Sequence, residues 1–222
     1  INKKIFIEDL ADMRLRKLEL KDAPLMLEWM HDMEVTRNLK KNFSKFSIED
    51  AEQFILHCQN EDKEIHRAVV SDEDEYMGTV SLKHIDNETE SAEFAVVVRS
   101  EAMTKGYAWF AMTELLDLAF DKRKLSSVYW CVSKENHRAI RFYDKHYFGE
   151  TFHVPQKVLH RYSGCENLKW YSVLAGDDYK GNIKNREQIA GCKVLSIKTI
   201  PTVNAGELSF FEERKDFSFS IK

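Results

Sequence analysis

The residues with the most chemical content in this 222-residue chain lie where an apolar run meets a glycine turn. Ser91-Ala92-Glu93-Phe94-Ala95-Val96-Val97-Val98-Arg99 is followed by Met103-Thr104-Lys105-Gly106-Tyr107-Ala108. A strand that passes through such a turn into a helix aims several free backbone N–H groups at one spot, and the helix dipole adds to them. That spot can hold a pyrophosphate: Lys105 brings a formal charge, and Gly106 lets a ligand approach the backbone closely. Taken alone, a glycine at a helix start also reads as a plain turn. Glu93 is the second feature, because a carboxylate on an otherwise apolar strand is costly unless it is solvated or paired. It reads either as a reacting group or as a strand-end residue facing water. His84, just after a strand, is a further candidate base, with a surface residue as its plainer reading. Cys58, Cys131, Cys165 and Cys192 lie far apart, without the close paired spacing of a zinc site, so no metal is expected.

Holding these groups in place takes strands and helices that the periodicity announces. Arg14–Leu20 alternates charged and apolar residues, the pattern of a half-buried strand. Asp22 can cap a following helix in which Leu25, Met26, Trp29, Met30 and Met33 make one apolar stripe. Ser47 and Asp50 form a capping-box-like pair before a second helix, with Ile48, Ala51, Phe54, Ile55 and Cys58 on a shared face. Thr36–Phe46, carrying Lys40, Lys41 and Lys45, reads as the loop between them. His66–Val70 and Met77–Leu82 suit a hairpin whose acidic turn, Ser71–Glu75, is a solvated tip.

Ala92–Val98 is the most apolar strand and belongs near the sheet centre. From Tyr107 the period becomes helical: Phe110, Ala111, Glu114, Leu115, Leu118 and Ala119 share a face that Met112 and Leu116 widen. Val128–Val132 is a strand, Asn136–Lys145 a helix, and Tyr147–His153 with Leu168–Leu174 a closing strand pair. A first domain of residues 1–174 is followed by a polar, glycine-bearing linker, residues 175–191. Residues 192–222 hold strand-like runs that open a second β domain or pack on the first. The chain starts at Ile1 and ends in a strand-like run, so it reads as part of something longer.

Composition narrows the function classes. With 33 basic and 37 acidic side chains the formal charge is −4, which offers no broad positive field for nucleic acid. An apolar fraction of 43%, with only 8 glycines and 3 prolines, excludes a disordered tail or a collagen-like fibre. Mid-chain apolar runs such as Phe94–Val98 are far short of the ~20 residues of a membrane helix, so no membrane partner is expected. Scattered cysteines in apolar runs fit reduced thiols and a cytoplasmic location.

Downstream of the glycine turn stands Ser133-Lys134-Glu135-Asn136-His137-Arg138-Ala139-Ile140-Arg141-Phe142-Tyr143, then His146-Tyr147-Phe148. Together with the turn, this stretch resembles the GCN5-related N-acetyltransferases over roughly Met13–Leu174. The pattern is nearest to the ribosomal-protein and amino-sugar acetyltransferase branch, with Glu28-Trp29 and Asp32-Met33-Glu34-Val35 as supporting echoes. The resemblance implies an α/β fold with a central mixed, mostly antiparallel sheet flanked by helices, and acetyl-CoA as cosubstrate. It places Met103, Thr104, Lys105, Gly106, Tyr107 and Ala108 around the pyrophosphate. On the same resemblance, backbone amides of Val96, Val97 and Val98 would hold the pantetheine and polarise the thioester, and Asn136 and Arg138 would flank that arm. It likewise implies that Tyr143 protonates the leaving sulfur, and Glu93 stands where some members keep a general base. Two departures are visible: Met103-Thr104 where the family has Arg or Gln then Gly, and Tyr147 in place of Gly. Without the resemblance, Tyr143 reads as a core aromatic and Asn136 as a helix cap.

A second likeness suggests an acceptor. Gly191–Ile200, Gly206–Glu212 and Phe217–Lys222 look like the opening of the cupin-type nucleotide-sugar 3,4-ketoisomerases, although that family's histidine-rich strand is absent. The two likenesses together imply a bifunctional polypeptide that acetylates the C3 amine of a dTDP-3-amino-3,6-dideoxyhexose, such as the galactose form, for lipopolysaccharide or S-layer glycans. Arg37 and Lys40-Lys41-Asn42 would meet the nucleotide diphosphate, or simply form a solvated basic loop. The alternatives are a protein N-terminus or a polyamine as acceptor, and a non-catalytic coenzyme A-binding regulatory module. A homo-oligomer is compatible with each.

Overall fold

Successive side chains of a strand point to opposite faces, so the near-continuous apolar runs of the central strands let one sheet carry a hydrophobic core on each face. The computed structural model describes residues 13–165, 167–177 and 179–180; the predicted segment 192–222 and most of the linker lie outside them. Six strands form a single sheet in chain order: β1 (Arg14–Lys17), β2 (Ile65–Val70), β3 (Tyr76–Asp86), β4 (Ser91–Val98), β5 (Ser127–Ser133) and β6 (Leu168–Leu174). All neighbours are antiparallel except β4 and β5, whose parallel pairing requires a crossover. The crossover is helix α4 (Tyr107–Asp117), extended by a π-helical turn at Leu118–Lys122. The mixed, mostly antiparallel α/β architecture expected from the sequence is the one observed.

On one face, α4 buries Ala111, Met112, Leu115 and Leu116 against Ile65, Val69, Val80, Leu82, Ala92 and Phe94. Helices α1 (Ala23–His31) and α3 (Ile48–His57) cover the other face, where Met26, Trp29, Met30, Ala51 and Ile55 meet Ala68, Val70 and Tyr76. The short α2 (Met33–Thr36) follows α1 directly. Helix α5 (His137–Lys145) joins the α4-side core through Tyr143, Ala139 and Phe142.

Five local expectations change. Asp22 does not cap α1: its backbone is already helical at φ −80, ψ −18, so its carboxylate turns back to the Glu19 amide and to both ends of the Arg16 guanidinium at 2.7 Å. Met33 leaves the apolar stripe and is 71% exposed, because Asp32 breaks the helix with extended backbone and its side chain caps α2 instead. Glu114 is exposed, since the buried face of α4 centres on the 111/112 and 115/116 pairs. Residues 147–153 form no strand. Tyr147 takes left-handed backbone (φ 61) at the end of α5, only Glu150 bridges to Tyr171, and Pro155 introduces a helix the periodicity did not reveal, α6 (Gln156–His160). The acidic tip is anchored rather than merely solvated: Asp74 binds Arg14, Arg16 and Lys21, and Glu75 binds Arg99.

Candidate active site

Strands β4 and β5 part company in mid-sheet. Their register runs only from Ser91↔Ser127 to Glu93↔Tyr129, while β4 follows β3 to Gly78↔Val98 and β5 follows β6 to Ser133↔Leu168. Past the parting, Ala95–Val98 and Cys131–Ser133 turn from buried to half-buried, so the two strands line a cleft. The Arg99 amide donates to the Met77 carbonyl at 2.9 Å, which fixes the phase of the antiparallel ladder. Alternate residues present both backbone groups to the same neighbour, so Ala95 and Val97 address β3 whereas Val96 and Val98 address the cleft. Of the three valine amides expected there, Val97's is thus committed to the ladder, and its side chain packs on the α1/α3 core. Gly78 makes this approach possible, because a Cβ there would stand 2.3 Å from the Val97 carbonyl oxygen.

The cleft leads to the glycine turn. After β4, a 3-10 turn at Ser100–Ala102 delivers Met103 in extended backbone, then Thr104 at φ 65 and Gly106 at φ 96. Thr104 occupies the left-handed region that a β-branched residue rarely adopts, at the position where the resembled family has glycine. Gly106 caps α4 without any side-chain acceptor, so no side chain competes for the first-turn amides. Lys105 is exposed and 3.9 Å from Glu101. An uncapped helix start beside two left-handed residues is a concave set of N–H donors suited to an anion.

Arg99, absent from the sequence-derived site, fastens this turn. Its guanidinium is buried, and it donates to Glu28 at 3.0 and 3.2 Å, to Glu75 at 2.7 Å and to the Tyr76 carbonyl at 3.1 Å. The ion pairs outweigh the burial that opposes its charge, and its pKa is raised. Arg138 and Met103 do come together, with Nη1 2.9 Å from the Met103 sulfur and Nη2 donating to the Glu34 carbonyl at 3.1 Å. Asn136 is the cap of α5, its Oδ1 accepting from the Ala139 amide at 3.1 Å.

Tyr143 lies in an aromatic cluster, with ring centroids 5.3 Å from Trp130, 5.1 Å from Phe142 and 4.9 Å from Tyr171. Burial holds its phenol in the protonated form well above the usual range. Glu93 does not face water: it is 2% exposed at the last registered pair of the parting strands. One carboxylate oxygen takes the Arg161 guanidinium, and the other accepts the Tyr162 hydroxyl at 2.7 Å. A free general base is therefore not what the resting geometry presents. Burial, reinforced by Glu93, keeps the Tyr162 phenol protonated, and burial pushes the neighbouring Cys131 thiol up to about 11. Arg161 and Tyr162 escaped the sequence reading because they follow a helix with no strong periodicity. Lys40 reaches the same place, its Nζ 5.4 Å from the centre of the Tyr162 ring. His84 turns to Glu64 instead, at 3.9 Å.

Among the described residues, no group of three or more His, Cys, Asp or Glu could hold a metal ion, and no helix is long and apolar enough to cross a membrane. The family model described as acetyltransferase (GNAT) domain matches residues 12–148. The spermidine N(1)-acetyltransferase of Escherichia coli K12 is 31% identical over 148 residues, 63% of this chain and 76% of the relative. That of Vibrio cholerae is 27% identical over 152 residues, 67% of this chain and 86% of the relative. The crystal structure of spermidine N-acetyltransferase from Vibrio cholerae in complex with CoA and spermine superposes with a TM-score of 0.63 at 21% identity, covering 74% of this chain and 96% of the other.

Proposed function

Because the chain belongs to the GNAT acetyltransferase family and draws its acetyl group from acetyl-CoA, we propose that it N-acetylates a primary amine on a small diffusible molecule, with polyamines as the first acceptor class. The observation that carries the site is the parting of β4 from β5 immediately upstream of the uncapped start of α4. Bound there, acetyl-CoA supplies an activated acetyl thioester. The residues present suit it: amides of Thr104 and of Gly106 to Ala108 for the pyrophosphate, the Lys105 amide being taken by the Ala102 carbonyl, and those of Val96 and Val98 for the pantetheine arm and the thioester oxygen. Tyr143 Oη passes its proton to the departing sulfur and regains one from the proton that the acetylated amine sheds through water; burial, which raises its pKa, disfavours a lasting tyrosinate and keeps the two transfers coupled. Arg99 and Arg138 hold the turn in shape.

The polyamine reading is supported by relatives that carry the name spermidine N(1)-acetyltransferase, and it is better supported than the nucleotide-linked amino sugar. One observation favours the amino sugar as a second reading. Lys40 and Arg161 stand around Tyr162, which suits an acceptor that brings an anionic group, and Glu93 is already balanced by Arg161. The test is thiol release from acetyl-CoA with spermidine, spermine, dTDP-3-amino and dTDP-4-amino sugars, and basic peptides. Turnover of spermidine or spermine is the expected result. Turnover of the dTDP-amino sugars alone replaces the polyamine by the second reading, and turnover of peptides alone overturns both.

A further inference from the structure

We propose that Arg161 is a specificity-determining residue: by holding Glu93, it sets the net charge that an acceptor meets where β4 and β5 part. The inference rests on the reading above that the acceptor amine approaches this point. Ala92 and Phe94 belong to the α4-side core, so Glu93 between them projects to the opposite face of the sheet. There Arg161 and Tyr162 occupy both of its oxygens. The exposures differ in a telling way, with the Glu93 side chain at 3% and that of Arg161 at 29%. An acceptor therefore meets the rim of a guanidinium, with the carboxylate behind it.

The other charges near this face do not cancel that effect. Lys157 on α6 is matched with Asp86, while Lys40 over the Tyr162 ring and Lys83, directly opposite Glu93 in the β3–β4 register, add cations to the same face. With Arg161 in place, the Glu93 charge gives little attraction to a second or third ammonium on the acceptor. Removing the guanidinium leaves Glu93 hydrogen-bonded to Tyr162, with Lys83 across the strand pair as its remaining cationic neighbour, and frees the oxygen that Arg161 held for an acceptor ammonium. Two unit charges a few ångströms apart at a partly exposed site interact strongly enough to change relative affinity by about tenfold.

The experiment compares kcat/KM for spermidine and for a dTDP-3-amino sugar in the wild type, Arg161→Gln, Arg161→Lys and the double variant Glu93→Gln/Arg161→Gln, with acetyl-CoA KM measured in each. Arg161→Gln is expected to move the spermidine-to-sugar ratio upward by about tenfold at unchanged acetyl-CoA KM. Arg161→Lys and the double variant are expected to keep it near the wild-type value. Calorimetric titration of spermidine into the same variants gives the parallel readout, a tighter complex in Arg161→Gln alone. An unmoved ratio and unmoved spermidine affinity, or equal losses for both acceptors with a raised acetyl-CoA KM, overturn the proposal. If the wild type acetylates neither acceptor, the functional reading fails by itself, and the titrations still decide whether Arg161 governs the charge.

Discussion

At the scale of single residues, the site depends on groups whose surroundings shift them from their behaviour in water. Tyr143 is one case: its phenol is protonated at neutral pH as in water, and burial raises its pKa so that the proton stays on Oη to more alkaline pH than usual. Tyr143→Phe is expected to lower kcat by roughly ten- to a hundredfold while leaving acetyl-CoA KM unchanged, as steady-state kinetics would show. The same shift means that any fall in wild-type rate between pH 8 and 9 (about one to two units below the ordinary tyrosine pKa) does not come from this group. Thr104 is held in left-handed backbone at φ 65, which costs about 1 kcal/mol for a non-glycine residue. Thr104→Gly is expected to melt no lower than the wild type and to bind acetyl-CoA at least as well; a raised KM would show that the hydroxyl or methyl itself is used.

At the scale of elements, the decisive fact is where a strand stops following its neighbour. Strand β4 keeps its register with β3 to Val98 because Gly78 admits the Val97 carbonyl at a distance no Cβ would tolerate. Gly78→Ala is expected to cost about 1–3 kcal/mol in denaturant unfolding and to raise acetyl-CoA KM, because displacing β3 re-aims the Val96 and Val98 amides. Periodicity made β4, β5, α4 and α5 legible, along with the Ser47–Asp50 capping box, which forms as expected. It did not disclose α6, which is only five residues long and too short to display a repeat. The cleft was equally hidden, since the strand sequences carry no mark of the pair at which they separate.

At the scale of the whole molecule, ion pairs tie distant parts of the chain together and make its stability depend on pH. Lys21, Arg16 and Arg14 hold Asp74 well below the usual carboxylate range, Arg67 with Lys17 lowers Glu61 to about 2, and Lys157 lowers Asp86 to about 2. A folded-state pKa below the unfolded value gives stability that is present above about pH 4 and is lost as pH falls toward 2. The melting temperature is therefore expected to stay level from pH 7 to about 5 and to drop below that. Asp74→Asn and Glu61→Gln should flatten the drop, as scanning calorimetry at stepped pH would show. Solvent exposure at these pairs limits the effect, and added salt should reduce it further.

Taken by itself, the amino-acid sequence determined what depends on near neighbours: the order of strands and helices, the apolar faces, and a glycine turn whose amides suit a diphosphate. Those features follow from side-chain period and backbone conformational freedom, which act over a few residues. Only the tertiary structure decided that Val96 and Val98 rather than Val97 address the cleft, that Arg99 anchors the turn, and that Glu93 is balanced by Arg161. Each of these joins residues brought together by strand register and helix packing, and the meaning of a charge is fixed by the partner the fold gives it.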